Sequence, residues 1–130
     1  MLDRIDLQVE VASVSYSDLT DTGFAESSES VRARVQAARR IQEERFAGTG
    51  IHCNAQMTGE MIKRYCSLDE TCAKLIKQAF DSLNMSARGY NRILKVARTV
   101  ADIRKSENIQ KEHLLLAISF RDLDRKYWSR

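Results

Sequence analysis

The stretch that decides the fold is "NMSARGYNRILKVARTVADI", residues 84–103. Tyr90, Ile93, Leu94, Ala97, Val100 and Ala101 recur at three- and four-residue intervals, which is the period of one helix face turned toward a core. Ser86 stands just ahead of that pattern, where a side-chain oxygen satisfies a free N–H of the first turn. The other face carries Arg88, Arg92 and Lys95 in a stripe, with Arg98 beside it. A solvated face is the ordinary reading of such a stripe. Arg88 argues otherwise, because it falls in the first turn, where the helix dipole disfavours a cation. A helix N-terminus suits a phosphate, so an arginine there makes sense where an anion visits.

Working outward, the neighbouring segments are helical too. "SLDETCAKLIKQAFDSL" (67–83) opens with a candidate capping box, Ser67 with Glu70. It places Leu68, Cys72, Leu75, Ile76, Ala79, Phe80 and Leu83 on one face. A shorter helix is expected over about 58–65, and "IQKEHLLLAISF" supplies a last one from Gln110 to Phe120, after which "RDLDRKYWSR" carries no periodic pattern. Upstream, Ser27, Ser28 and Ser30 are candidate caps for a helix with the thin apolar stripe Val31, Val35, Ala38 and Ile41, ending by Gly48.

The N-terminus differs. "IDLQVEV" (5–11) alternates strictly, with Ile5, Leu7, Val9 and Val11 on one side, a strand pattern. Nothing else in the chain repeats it, and a lone strand cannot stabilise itself. This strand is expected either to lack order or to pack against the helices in a way foreign to its original sheet. Residues 12–30 are rich in Ser, Thr and Asp and read as a long loop, with one helical turn near Tyr16. The fold class is therefore mainly α: a small helical bundle preceded by one orphan strand and a linker helix.

Composition sets the limits. A chain of 130 residues, 43% hydrophobic and 30% charged, suits one folded domain. There is no proline and there are only five glycines, which favours helices. No run approaches the roughly 18 apolar residues of a membrane span, and no signal-peptide pattern opens the chain, so no membrane role and a cytoplasmic location are expected. The net charge of +3 permits nucleic-acid binding without demanding it. Cys53, Cys66 and Cys72 form no C-x-x-C pair and His52 and His113 lie far apart, so no metal site is expected and the thiols read as reduced. No G-x-x-x-x-G-K-[ST] occurs, since Gly23, Gly48, Gly50, Gly59 and Gly89 never fit that spacing. Nor is there a Walker B strand end or a nucleophile with its base, so this chain alone is not expected to hydrolyse ATP.

Several motifs together carry a resemblance. "LDRIDLQVEV" (2–11) resembles the last core strand of an AAA+ ATPase of the magnesium chelatase group. "ESSESVRARVQAARRIQEERF", "NAQM" and "SARGYNRILKVARTVADI" resemble the segments that follow it in magnesium chelatase-like proteins of the ComM type. The order and spacing fit over nearly the whole chain. One departure is Ala12, where the family often has proline soon after "VEV". The resemblance implies a C-terminal part of a longer ATPase. Residues 1–25 would be the end of the AAA+ core and a loop, 26–50 a linker helix, and 51–130 a helical lid domain.

By the same resemblance, Arg4 matches the arginine finger that reaches a neighbouring subunit's ATP, and Arg88 matches the sensor-2 arginine that contacts the γ-phosphate in its own subunit. ATP and Mg²⁺ would belong to the parent protein, with neighbouring subunits of a ring, a hexamer, as partners, while the isolated chain is expected to be monomeric. The wording of residues 86–102 leans toward a DNA-acting parent of the competence type, with a magnesium chelatase ATPase subunit for porphyrin metallation as the alternative. Arg92, Lys95 and Arg98 are left as candidate contacts to nucleotide or nucleic acid. A reading of another class is a stand-alone helical nucleic-acid-binding module using Arg32, Arg39, Arg40, Arg92, Lys95 and Arg98. It predicts salt-dependent DNA binding. Against it stand the acids interleaved in "RRIQEER" and the absence of an aromatic platform in the sequence beside the arginines.

Overall fold

Helix α5, Ala87–Ile103, packs against more of the other elements than any other helix does. The structure is a computed structural model and describes residues 5–21, 23 and 25–121. Arg4 lies outside the described residues. Ahead of α5 come α1 (Tyr16–Leu19), α2 (Ser28–Arg45), a 3-10 turn (Asn54–Gln56), α3 (Gly59–Tyr65) and α4 (Glu70–Ser82). Helix α6 (Lys111–Ser119) follows and makes the most extensive packing against α5, while α2, α3 and the 3-10 turn also rest on it. The architecture is a small, mainly α-helical bundle.

Each helix starts where a side chain satisfies a free backbone N–H. Ser27 accepts from Ser30, Thr58 from Met61 and Ser86 from Gly89. In α4 the cap is Asp69, whose Oδ1 accepts from the Cys72 N–H at 2.8 Å. The expected Ser67–Glu70 box does not form, and Glu70 instead pairs with Lys74 on the surface. Asp69 takes the role because it immediately precedes the first helical residue, while Ser67 lies two residues too early.

The core joins Phe46, Ile62, Cys66, Cys72, Ile76, Ile93, Leu94, Ala97, Ala101, Ile109 and Leu114. On α5 the apolar set predicted from the three-four spacing is the buried set, with Tyr90 half-buried. Helix α2 is packed only in its second half. Ala38 is buried, whereas Val31 and Val35 are exposed.

The alternating segment forms no strand among the described residues. Its pattern is in fact inverted: Gln8 is buried and Ile5, Leu7, Val9 and Val11 are exposed. The Gln8 N–H donates to the Phe120 carbonyl at 2.9 Å, Arg121 Nη1 donates to the Ile5 carbonyl at 2.6 Å, and Asp6 pairs with Arg92. Without a neighbouring strand, backbone groups take their partners from the end of the bundle, and the apolar side chains face outward.

His113 adds a pH-sensitive contact. Its Nδ1 accepts the Gln110 N–H at 2.9 Å at the start of α6, and the ring is buried. Burial pushes its pKa below the ordinary 6.5; Glu112 opposes the shift, while Arg104 and Arg98 add to it. The folded state therefore holds a neutral ring, and the unfolded chain binds a proton first as pH falls. The stability this contributes is present above pH 6.5 and is lost on acidification through the folded value. NMR titration of the His113 ring protons should give a midpoint below 6.5. A midpoint above it would mean that the Nδ1 acceptor is not what caps α6.

Candidate functional site

The arginine stripe does not present a uniform face. Arg88 is the second residue of α5, exposed, and makes no hydrogen bond or ion pair among the described residues. One turn on, Arg92 is three-quarters buried and paired with Asp6. Lys95 is half-buried and donates from Nζ to the Ala55 carbonyl at 3.0 Å. Arg98 has left the surface altogether, with only 5% of its side chain exposed. Of the four cations, Arg88 alone projects with its guanidinium uncommitted among the described residues.

Its setting is a helix start capped by a side chain. The Ser86 Oγ accepts the Gly89 N–H at 3.0 Å. Gly89 is itself buried, and Arg121 Nη2 lies 3.5 Å from where a Cβ on Gly89 would stand. Arg88 and Arg121, with the Arg92–Asp6 pair beside them, thus lie around the N-terminal half of α5, which carries the positive end of the helix dipole. Arg121 belongs to the stretch after Phe120 that has no periodic pattern, so sequence spacing gave no sign of its place here.

Arg98 does something the stripe reading missed. Its Nε donates to Asp102 Oδ1 at 3.2 Å, Nη1 to the Glu107 carbonyl at 2.8 Å and Nη2 to the Ser106 carbonyl at 2.7 Å, closing the turn after α5. All three of its side-chain nitrogens are thus engaged within the chain, unlike an exposed member of a stripe.

Asp102 is the centre of that arrangement. Its side chain has no exposed area, and it accepts from Arg45 Nη1 at 2.8 Å, Arg45 Nη2 at 2.6 Å and Asn54 Nδ2 at 2.9 Å as well as from Arg98. Asn54 also donates to Thr99 Oγ1 at 3.0 Å and accepts from Arg45 at 3.0 Å, and its backbone N–H donates to Gln42 at 2.9 Å. The network ties α2, the 3-10 turn and α5 into one unit. Hydrogen bonding to Asp102 raises the Arg45 pKa against the cost of burial, whereas burial lowers that of Arg98. Two guanidinium groups share one carboxylate, so the cluster keeps one net positive charge. Burial pushes the adjacent Cys66 thiol up to about 11 despite those two cations.

Among the described residues, no helix is long and apolar enough to cross a membrane, and no three His, Cys, Asp or Glu side chains gather as a metal site would require. The helical bundle, the capped start of α5 and the motifs along it belong to a recognisable class. Residues 25–121 match the family described as magnesium chelatase, subunit ChlI C-terminal, and the chain belongs to that family. Over 125 residues, 95% of its length, it is 39% identical to the competence protein ComM of Haemophilus influenzae. It is 38% identical to YifB of Escherichia coli across the same share of the chain, and 29% identical over 121 residues to the Mycobacterium tuberculosis protein Rv2897c. The chain spans about a quarter, 24%, of the length of each of these relatives.

Proposed function

We propose that the chain is the final core segment and lid of a magnesium chelatase-related AAA+ ATPase, with Arg88 as the residue that senses the γ-phosphate. The observation that carries this is the state of Arg88. Its neighbours Arg92, Lys95 and Arg98 have protein partners, while Arg88 stands exposed and uncommitted among the described residues, in a first turn whose dipole repels it. A phosphate supplies the missing counter-charge and also meets the free N–H groups of the helix start. ATP and Mg²⁺ bind in the parent protein on this reading, and ATP supplies the phosphoryl group whose charge the arginines stabilise.

Residues 1–25 then end the ATPase core, 26–50 form the linker and 51–130 the lid. Arg4 is assigned as the finger acting on a neighbouring subunit, which makes a ring, a hexamer, the working assembly and the cytoplasm its place. Similarity to ComM, a competence protein, favours a DNA-acting parent over a porphyrin chelatase.

The test is an NMR titration of the labelled chain with Mg·ATP. Shifts centred on residues 86–92 are expected. Shifts absent at saturating nucleotide, or centred on another element, overturn the assignment of Arg88.

A further inference from the structure

A second concave surface lies away from the start of α5, between the C-terminal half of α2, the end of α3 and the turn that follows α5. Its volume is about 730 Å³, in the range of pockets that hold small ligands. Its charge sets it apart from the apolar groove between α3, α4 and α5. Arg40, Arg45, Arg64, Arg98 and Lys105 line it against one carboxylate, Glu107.

The two floor residues explain why the charge is not cancelled from below. Arg45 and Arg98 share Asp102, which leaves the floor with one positive charge in excess. On the rim, Arg40 and Lys105 are exposed, and their side chains have no ion pair or hydrogen bond among the described residues. Arg64 lies over the Tyr65 ring at 5.2 Å, and that ring is held edge-on against Phe46 at 5.5 Å. A convex array of this kind would be a solvated face. A concave one accumulates potential, because its low-dielectric walls focus the field of every cation that lines it.

We propose that this cleft holds the phosphodiester backbone of a single-stranded nucleic acid, with Arg40, Arg64 and Lys105 as its phosphate contacts. Several cations spread around one cleft match successive phosphates better than one isolated anion, and Tyr65 sets an aromatic ring in the wall beside Arg64. A duplex is too broad to enter a cavity of this volume. The proposal does not depend on the assignment of Arg88, which sits at the other end of α5.

Binding of a labelled twenty-residue oligothymidylate, measured by fluorescence anisotropy across a salt series, tests it. The triple variant Arg40→Glu, Arg64→Glu, Lys105→Glu should bind more than about tenfold more weakly, with a salt slope smaller by about two. A charge-matched triple elsewhere, Lys74→Glu, Lys77→Glu, Lys111→Glu, should change affinity by less than about threefold, since distant surface charges are screened. NMR shifts in the wild-type chain should fall on Arg40, Arg64, Lys105 and Ser106, which keeps the question answerable if the variant fails to fold. The proposal is overturned if the strand does not bind at low salt, if both triples weaken it equally, or if its shifts follow Arg88 and Arg92. Shifts in the cleft from free thymidine monophosphate equal to those from the strand would overturn it too, since the site would then be one for a free nucleotide.

Discussion

Asp102→Ala should cost the fold about 3–5 kcal/mol, the usual penalty for removing one side of a buried ion pair. The carboxylate is fully enclosed and accepts four hydrogen bonds, from two arginines and an asparagine. Deleting it leaves Arg45 and Arg98 as neighbouring like charges with no counter-ion, and strands Asn54 Nδ2 with only Thr99. Each kcal/mol moves the midpoint of a chain of 130 residues by roughly 3–5 °C. Thermal unfolding followed by circular dichroism should therefore shift down by more than about 9 °C. Arg45→Met should cost much less, because Arg98 and Asn54 still compensate Asp102 and the methionine chain fills part of the vacated volume. An Asp102→Ala variant within about 0.5 kcal/mol of wild type would mean that the network is incidental to folding.

The contrast between that network and the helices marks how far sequence reaches. Helix positions were legible because apolar side chains recur at the helical period and because Ser27, Thr58 and Ser86 stand at their starts. The α4 boundary misled because Ser67 and Asp69 are both competent caps two residues apart, and only the direction of chain entry chooses between them. The Arg45–Asp102 pair spans 57 positions, so no local pattern connects its members. One signal was present: Arg98 and Asp102 are four apart, a spacing at which opposite charges meet on a helix, although this pair turned inward rather than outward. Residues 5–11 alternate as a strand would, yet they form no strand among the described residues. Their apolar side chains lie exposed, and Gln8 is the residue buried. The exposed place of Arg88 in the first turn was legible from the cap before it. The roles of Arg92, Lys95 and Arg98 were not, because exposure along a stripe depends on what packs beside it.

Arg88→Ala carries the opposite signature to Asp102→Ala, and that opposition makes it informative. Arg88 is exposed and engaged with nothing among the described residues, and as a cation in the first turn it opposes the helix dipole. Its loss should leave the stability of this chain unchanged, or raised by a few tenths of a kcal/mol, since alanine is also the better helix former. Function should respond very differently. Within the longer ATPase that the proposed reading requires, removing a donor aimed at the transferred phosphoryl group should lower the hydrolysis rate by about 10²–10³, the range seen when one preorganised charge-stabilising donor is lost. Arg88→Lys should recover little, because one ammonium cannot reproduce a bidentate grip on phosphate oxygens. The measurement is steady-state hydrolysis by the full assembly, paired with thermal unfolding of this chain. A large fall in rate with unaltered unfolding assigns Arg88 to the nucleotide. A fall in both would make it a structural residue, and an unchanged rate would leave the charge at the head of α5 facing only water.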